Sequence, residues 1–130
     1  MAFAPRLCDD LRMPLSVLIV DDHPAFRASA RRLLEGEGFK VVAEAADGAS
    51  GIALARELRP DLVLLDVMLP DLSGFDVAEE LSSSRSKVVL VSSRSKADYG
   101  RRLRRTSAVG FIPKDRLSGD TIRALLGQAA

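Results

Sequence analysis

The sequence has one cysteine, Cys8, so no disulfide can close within it, and nothing in its thiol content points to an oxidising compartment. Its one histidine, His23, leaves it without a Cys/His set of zinc-ligand type. Long apolar runs are missing as well. Val17 to Val20 and Leu62 to Leu65 fall far short of the roughly 20 residues that a membrane span takes. An excess of one charge is missing too: 19 basic against 18 acidic residues leave a net charge of +1, which argues against wholesale gripping of nucleic-acid phosphates. Internal repeats and low-complexity tracts are absent. The opening residues alternate apolar and charged types around Asp9 and Asp10. They lack the continuous apolar stretch of about 7–15 residues that makes a signal peptide. We read 1–14 as a flexible leader, with Met13 a candidate alternative start, and expect the cytoplasm as the compartment.

What is present suits one globular domain over 15–130. An apolar share of 47% with 28% charged residues can build a core and excludes intrinsic disorder. Beyond Pro14, short β-branched runs alternate with longer amphipathic ones, the pattern of a parallel sheet covered by helices. Strands are expected at Ser16–Val20, Lys40–Glu44, Leu62–Asp66, Lys87–Val91 and Val109–Ile112. Leu62–Asp66, the most apolar, belongs at the centre. The first helix starts at Pro24, where a missing N–H costs nothing, and ends at Gly36 and Gly38. The second, after the Asp47-Gly48 turn, runs to Leu58, with Ile52, Leu54, Ala55 and Leu58 facing inward. Ser73 caps a third helix carrying Phe75, Val77, Ala78 and Leu81. A basic helix covers about Lys96 to Arg105, and a last one Ser118 to Gln128.

In an open α/β sheet, chemistry gathers beyond the carboxyl ends of the strands. The polar residues fall there: Asp21 and Asp22 after the first strand, Asp66 ending the third, Ser92 and Ser93 ending the fourth, Lys114 just past the fifth. Asp21-Asp22 alone could be helix capping, and Lys114 alone could be solvated. With the first and third strands adjacent, however, three carboxylates would share one crevice, an arrangement that calls for a cation. Oxygen ligands favour a hard ion, Mg²⁺. An amine and a hydroxyl beside it would hold a phosphoryl group from several sides.

These residues resemble the receiver domains of two-component response regulators. The match runs through Val17-Leu-Ile-Val-Asp-Asp-His-Pro24, Ala45-Ala-Asp-Gly48, Pro60-Asp-Leu-Val-Leu-Leu-Asp-Val-Met-Leu-Pro70, Gly74, Val88-Val-Leu-Val-Ser-Ser93 and Gly110-Phe-Ile-Pro-Lys114. The Asp-Asp-His-Pro opening and the Lys114-Asp115 ending resemble the subgroup often joined to a C-terminal helix-turn-helix DNA-binding domain. The resemblance implies a flavodoxin-like, doubly wound, five-stranded parallel sheet of order 2-1-3-4-5. It implies a signalling phospho-acceptor that catalyses only its own phosphorylation and dephosphorylation. Asp66 would accept a phosphoryl group from a phosphohistidine of a sensor histidine kinase or phosphotransfer protein. Asp22, Asp66 and the Met68 backbone carbonyl would hold Mg²⁺, with Asp21 acting mostly through water. Ser92 would move toward the phosphoryl group, Phe111 would turn inward with it, and Lys114 would pair with it. The output would be a partner protein or a DNA-binding domain, with homodimerisation on phosphorylation and no membrane contact.

Met68 stands where many receivers carry a polar residue, and Arg94 flanks the same entrance. Pro113 removes one backbone donor at its strand's end. His23 lines the pocket rim or caps the helix that follows, and for Tyr99 the sequence leaves packing and exposure both open. Arg101, Arg102, Arg104 and Arg105 form either a solvated face or a docking surface for an acidic partner or nucleic acid. Three other readings compete. An aspartyl-nucleophile hydrolase normally has a second acid two residues on, where Met68 stands. A nucleotide-binding flavodoxin-type module lacks its Gly-rich loop here. A receiver-like module acting without phosphorylation would have no use for the full acceptor set.

Overall fold

The computed structural model describes residues 14–129, so the leader expected over 1–14 lies almost wholly outside them. Five strands form one parallel sheet in the order β2-β1-β3-β4-β5: β1 Ser16–Val20, β2 Lys40–Ala45, β3 Leu62–Asp66, β4 Lys87–Ser92 and β5 Gly110–Pro113. This is the expected 2-1-3-4-5 order. Five helices connect or follow the strands: α1 Pro24–Gly36, α2 Gly48–Leu58, α3 Gly74–Glu80, α4 Arg101–Arg105 and α5 Gly119–Ala129.

Because successive strand residues face opposite ways, an all-apolar strand feeds two cores. Val17 and Ile19 of β1 join Leu62 and Leu64 of β3 under Ala30 and Leu34 of α1 and Ile122 of α5. Leu18 and Val20 join Val63 and Leu65 under Ala55 of α2 and Phe75, Val77 and Ala78 of α3. β3 is buried along its whole length, in the centre as expected.

Two expectations need correction. Leu58 does not face inward; it is 42% exposed at the last residue of α2, next to Arg59, which caps the helix at φ 49°. The stripe that seats α2 is Gly48, Gly51 and Ala55, all buried. A Cβ on Gly51 would come within 2.9 Å of Val20, so the helix sits on the sheet closer than large side chains allow. Nor does one helix span Lys96 to Arg105. A 3₁₀ turn at Lys96–Asp98 and the five-residue α4 are separated at Gly100, which takes φ 49°. The positive φ at Gly100, which glycine adopts without strain, interrupts the helical path, and the four arginines all lie beyond it in α4. Smaller differences lie at the ends: β2 and β4 each run one residue further, and β5 and α5 each begin one residue later, than the sequence pattern suggests.

Candidate functional site

β1 pairs with β3, β3 with β4 and β4 with β5, so the polar residues at their carboxyl ends meet along one edge. Asp21 is fully buried, Asp66 and Ser92 nearly so. Asp22 is partly exposed, and its Oδ1, itself shielded from solvent, has no hydrogen-bond partner among the described residues. Lys114 extends from the 3₁₀ turn Lys114–Arg116 after β5. Its Nζ lies 2.7 Å from Asp21 Oδ2, 3.5 Å from Asp66 Oδ2 and 4.4 Å from the centre of the Phe26 ring. The 2.7 Å approach is a charge contact outside hydrogen-bond angles.

The Met68 amide donates to Asp66 Oδ1 at 3.3 Å. Burial, then the neighbouring Asp21 carboxylate, pushes the Asp66 carboxyl above its ordinary range, while Lys114 and the Met68 amide pull it back.

His23 does stand at the rim, its side chain 64% exposed, but it does not cap α1 through its side chain. Its amide donates to Asp21 Oδ1 at 2.8 Å, and its Nδ1 lies 3.0 Å from that oxygen and 3.2 Å from Asp22 Oδ1. Asp21, Asp22, His23 and Asp66 thus each bring a ligand-type atom within 4.8 Å of the others.

Ser92 is at the site's edge, but its hydroxyl is engaged elsewhere. Its Oγ lies 2.6 Å from the Tyr99 hydroxyl and accepts from the Arg94 amide at 3.0 Å. Tyr99 itself packs between Phe75 and Phe111, each ring centre 5.7 Å away. Phe111, 7% exposed, already lies inward. Met68, Arg94, Tyr99 and Arg102 line a cleft of 590 Å³ that begins at Val67, next to Asp66. Of the basic cluster, Arg102 has a structural task, bonding Ser73 Oγ at 3.0 Å and covering the Phe75 ring at 4.4 Å.

Sequence reasoning missed Asp71. Its carboxylate accepts from the amides of Gly48 at 2.7 Å and Ala49 at 2.9 Å, fastening the loop after β3 to the start of α2. These two bonds hold its carboxyl below the ordinary range. The Asp47-Gly48 turn was legible; its distant partner was not. Ser73 caps α3 as expected, accepting from the Phe75 amide at 3.0 Å.

Residues 17–126 match the family described as the response regulator receiver domain. The chain belongs to that family. The receiver is 37% identical over 110 residues to the transcription regulator BvgA of Bordetella pertussis, covering 83% of this chain and 53% of that protein. It is 36% identical over 121 residues to the nitrate/nitrite response regulator protein NarL of Escherichia coli (90% and 56%). With the transcriptional regulatory protein PdtaR of Mycobacterium tuberculosis it shares 34% over 122 residues (93% and 60%). The receiver therefore spans little more than half the length of these relatives. Among solved structures, the signal receiver domain of a response regulator NarL from Mycobacterium tuberculosis superposes with a TM-score of 0.78 at 32% identity, over 88% of this chain and 95% of that one. The receiver is thus a two-component signalling domain of the expected fold, with an acidic pocket at the strand ends. No helix among the described residues is long and apolar enough to cross a membrane.

Proposed function

We propose that the receiver takes a phosphoryl group onto Asp66 from the phosphohistidine of a sensor histidine kinase or phosphotransfer protein. The observation that carries this reading is the position of Asp66. It is a buried carboxylate at the end of the central strand, with a lysine cation 3.5 Å away and a carboxyl pushed up by burial and by the neighbouring Asp21. A carboxylate oxygen attacks phosphorus, the P–N bond breaks, and the imidazole nitrogen leaves with the electron pair. An acyl phosphate remains on Asp66. Lys114 is placed to face the transferred oxygens as it now faces Asp66.

The site fits Mg²⁺: its acids supply hard oxygen donors, and Asp22 Oδ1 lacks a hydrogen-bonding partner. Asp22 and Asp66 would hold the ion with the Met68 carbonyl, and Asp21, engaged by Lys114, would act mostly through water. Bound there, the ion supplies charge neutralisation for the carboxylates and the entering phosphoryl oxygens.

The Ser92 hydroxyl must leave Tyr99 to reach the phosphoryl group. Since Phe111 already lies inward, Tyr99 is the aromatic that has to give way, and the segment from Lys96 to Arg105 moves with it. The relatives named as transcription regulators support an output through a DNA-binding domain; an output through a partner protein, homodimerisation on phosphorylation and the cytoplasm as compartment are parts of the same proposal.

Incubation with acetyl phosphate and Mg²⁺ should add the mass of one phosphoryl group to the wild type and none to Asp66→Asn. Label on Asp66→Asn overturns the assignment. A receiver that acts without phosphorylation would leave the wild type unlabelled.

A further inference from the structure

We propose that Arg27 is a positioning residue for the cation pocket. It reaches from α1 to hold the peptide between Asp21 and Asp22, so that Asp22 is presented to the ion, and Glu44 of β2 is its anchor. This rests on the cation site proposed above and adds the part that aims one of its ligands.

The contacts form a chain from β2 to the acid pair. Arg27 stands in the first turn of α1 with its side chain only 18% exposed. Its Nε donates to Glu44 Oε1 at 3.0 Å, and its Nη1 donates to the Asp21 backbone carbonyl at 2.6 Å. The second oxygen of Glu44 lies 3.0 Å from Arg31 Nε, so two residues one turn apart on α1 hold that carboxylate.

The grip falls where Asp22 needs it. The Asp21 carbonyl and the Asp22 amide belong to one planar peptide unit, so fixing the first fixes the second. The Asp21 amide is tied to the Ala45 carbonyl at 3.0 Å. With Arg27 on its carbonyl, the backbone is held on both sides of Asp21. Asp22 comes next, and its Oδ1 has no hydrogen-bond partner among the described residues. Its carboxylate is placed by the backbone that carries it, and Arg27 sets that backbone.

Charge alone argues the other way. A guanidinium beside an acidic pocket repels a divalent cation, so a role through charge and a role through positioning predict opposite signs. Lysine separates them further. It keeps the charge but is a single point, and cannot reach carboxylate and carbonyl together as a planar fork does.

The test uses the full chain, MgCl₂ as probe, and calorimetry well below the Tm. Arg27→Met and Arg27→Lys should each bind Mg²⁺ roughly tenfold more weakly, the loss expected when a group that orients a metal ligand is removed. Glu44→Gln keeps the arginine and slackens its anchor, and should lose about threefold, a smaller effect of the same kind. In the metal-free chain the Asp21 carbonyl ¹³C resonance should shift in both Arg27 variants, a signature that needs neither metal nor activity. A side chain that merely braced β2 against α1 would lower the metal-free Tm and leave the Mg²⁺ Kd of the folded chain unmoved. That result, tighter binding in Arg27→Met, or unchanged affinity in Arg27→Lys overturns the role of Arg27 and leaves the cation site standing. Should Arg27→Met not fold, Arg27→Lys and Glu44→Gln decide the matter. Failure of the wild type to bind Mg²⁺ overturns the site and the role together.

Discussion

Ser92 has one hydroxyl and two claims on it. In the structure Tyr99 holds it at 2.6 Å; in the proposed reaction the phosphoryl group needs it. Tyr99→Phe keeps a ring between Phe75 and Phe111 and removes only the competing oxygen. A neutral hydrogen bond is worth about 1 kcal/mol, or roughly fivefold in rate if it must break on the way to the transition state. Labelling of Tyr99→Phe by acetyl phosphate should be faster by about that factor, and an unchanged rate would mean that the bond is no restraint. Met68 bears on the reverse reaction. Its side chain is 54% exposed at the cleft it shares with Arg94, and it has no strong acceptor to orient a water in line behind phosphorus. Met68→Asn should shorten the lifetime of phospho-Asp66 several-fold, while Met68→Leu leaves it nearly unchanged. Decay followed at saturating Mg²⁺ separates this from altered metal binding.

At the scale of elements, two loops are fastened by one carboxylate. Asp71 bridges from the loop after β3 to the amides of Gly48 and Ala49, and its folded pKa is depressed by those bonds. A depressed carboxyl lends stability that is fully present above its unfolded value, about 3.9, and lost as pH falls through the folded one. Asp71→Asn should therefore have a lower urea midpoint than wild type at pH 7, with the gap closing as pH falls to about 3. A gap independent of pH would show that the charge of Asp71 is not what holds the loops. What the sequence revealed follows the same division. The strand order came from the resemblance to receiver domains, while the strands and the Asp21, Asp22, Asp66 and Lys114 cluster were legible from local pattern plus the rule that sites form at strand ends. Asp71 and Tyr99 were not, because their partners are 22 or 23 residues away in one case and lie in a three-ring packing in the other. The basic helix misled because its composition said nothing of the positive φ that Gly100 takes between the 3₁₀ turn and α4. Leu58 misled because a large apolar residue was expected where small ones let α2 approach the sheet.

At the scale of the whole molecule, the pocket weighs on the fold. Asp21 and Asp66 are buried beside each other, and the single cation of Lys114 is shared between them. A metal that binds only the folded state stabilises all of it, by about 2.7 kcal/mol at a hundredfold excess over Kd. Saturating Mg²⁺ should raise the Tm of the wild type, and Asp22→Ala should lose most of that rise. No rise in the wild type would count against the cation site. The same pocket draws its parts from β1, β3 and the turn after β5, so that Asp21 and Lys114 are far apart along the chain and meet only through the completed sheet. A growing copy still on the ribosome has Asp66 long before it has Lys114. If Asp66 takes the phosphoryl group as proposed, a kinase meeting such an unfinished polypeptide would find nothing competent to take the message, and the signal would be written only on chains that have completed the sheet.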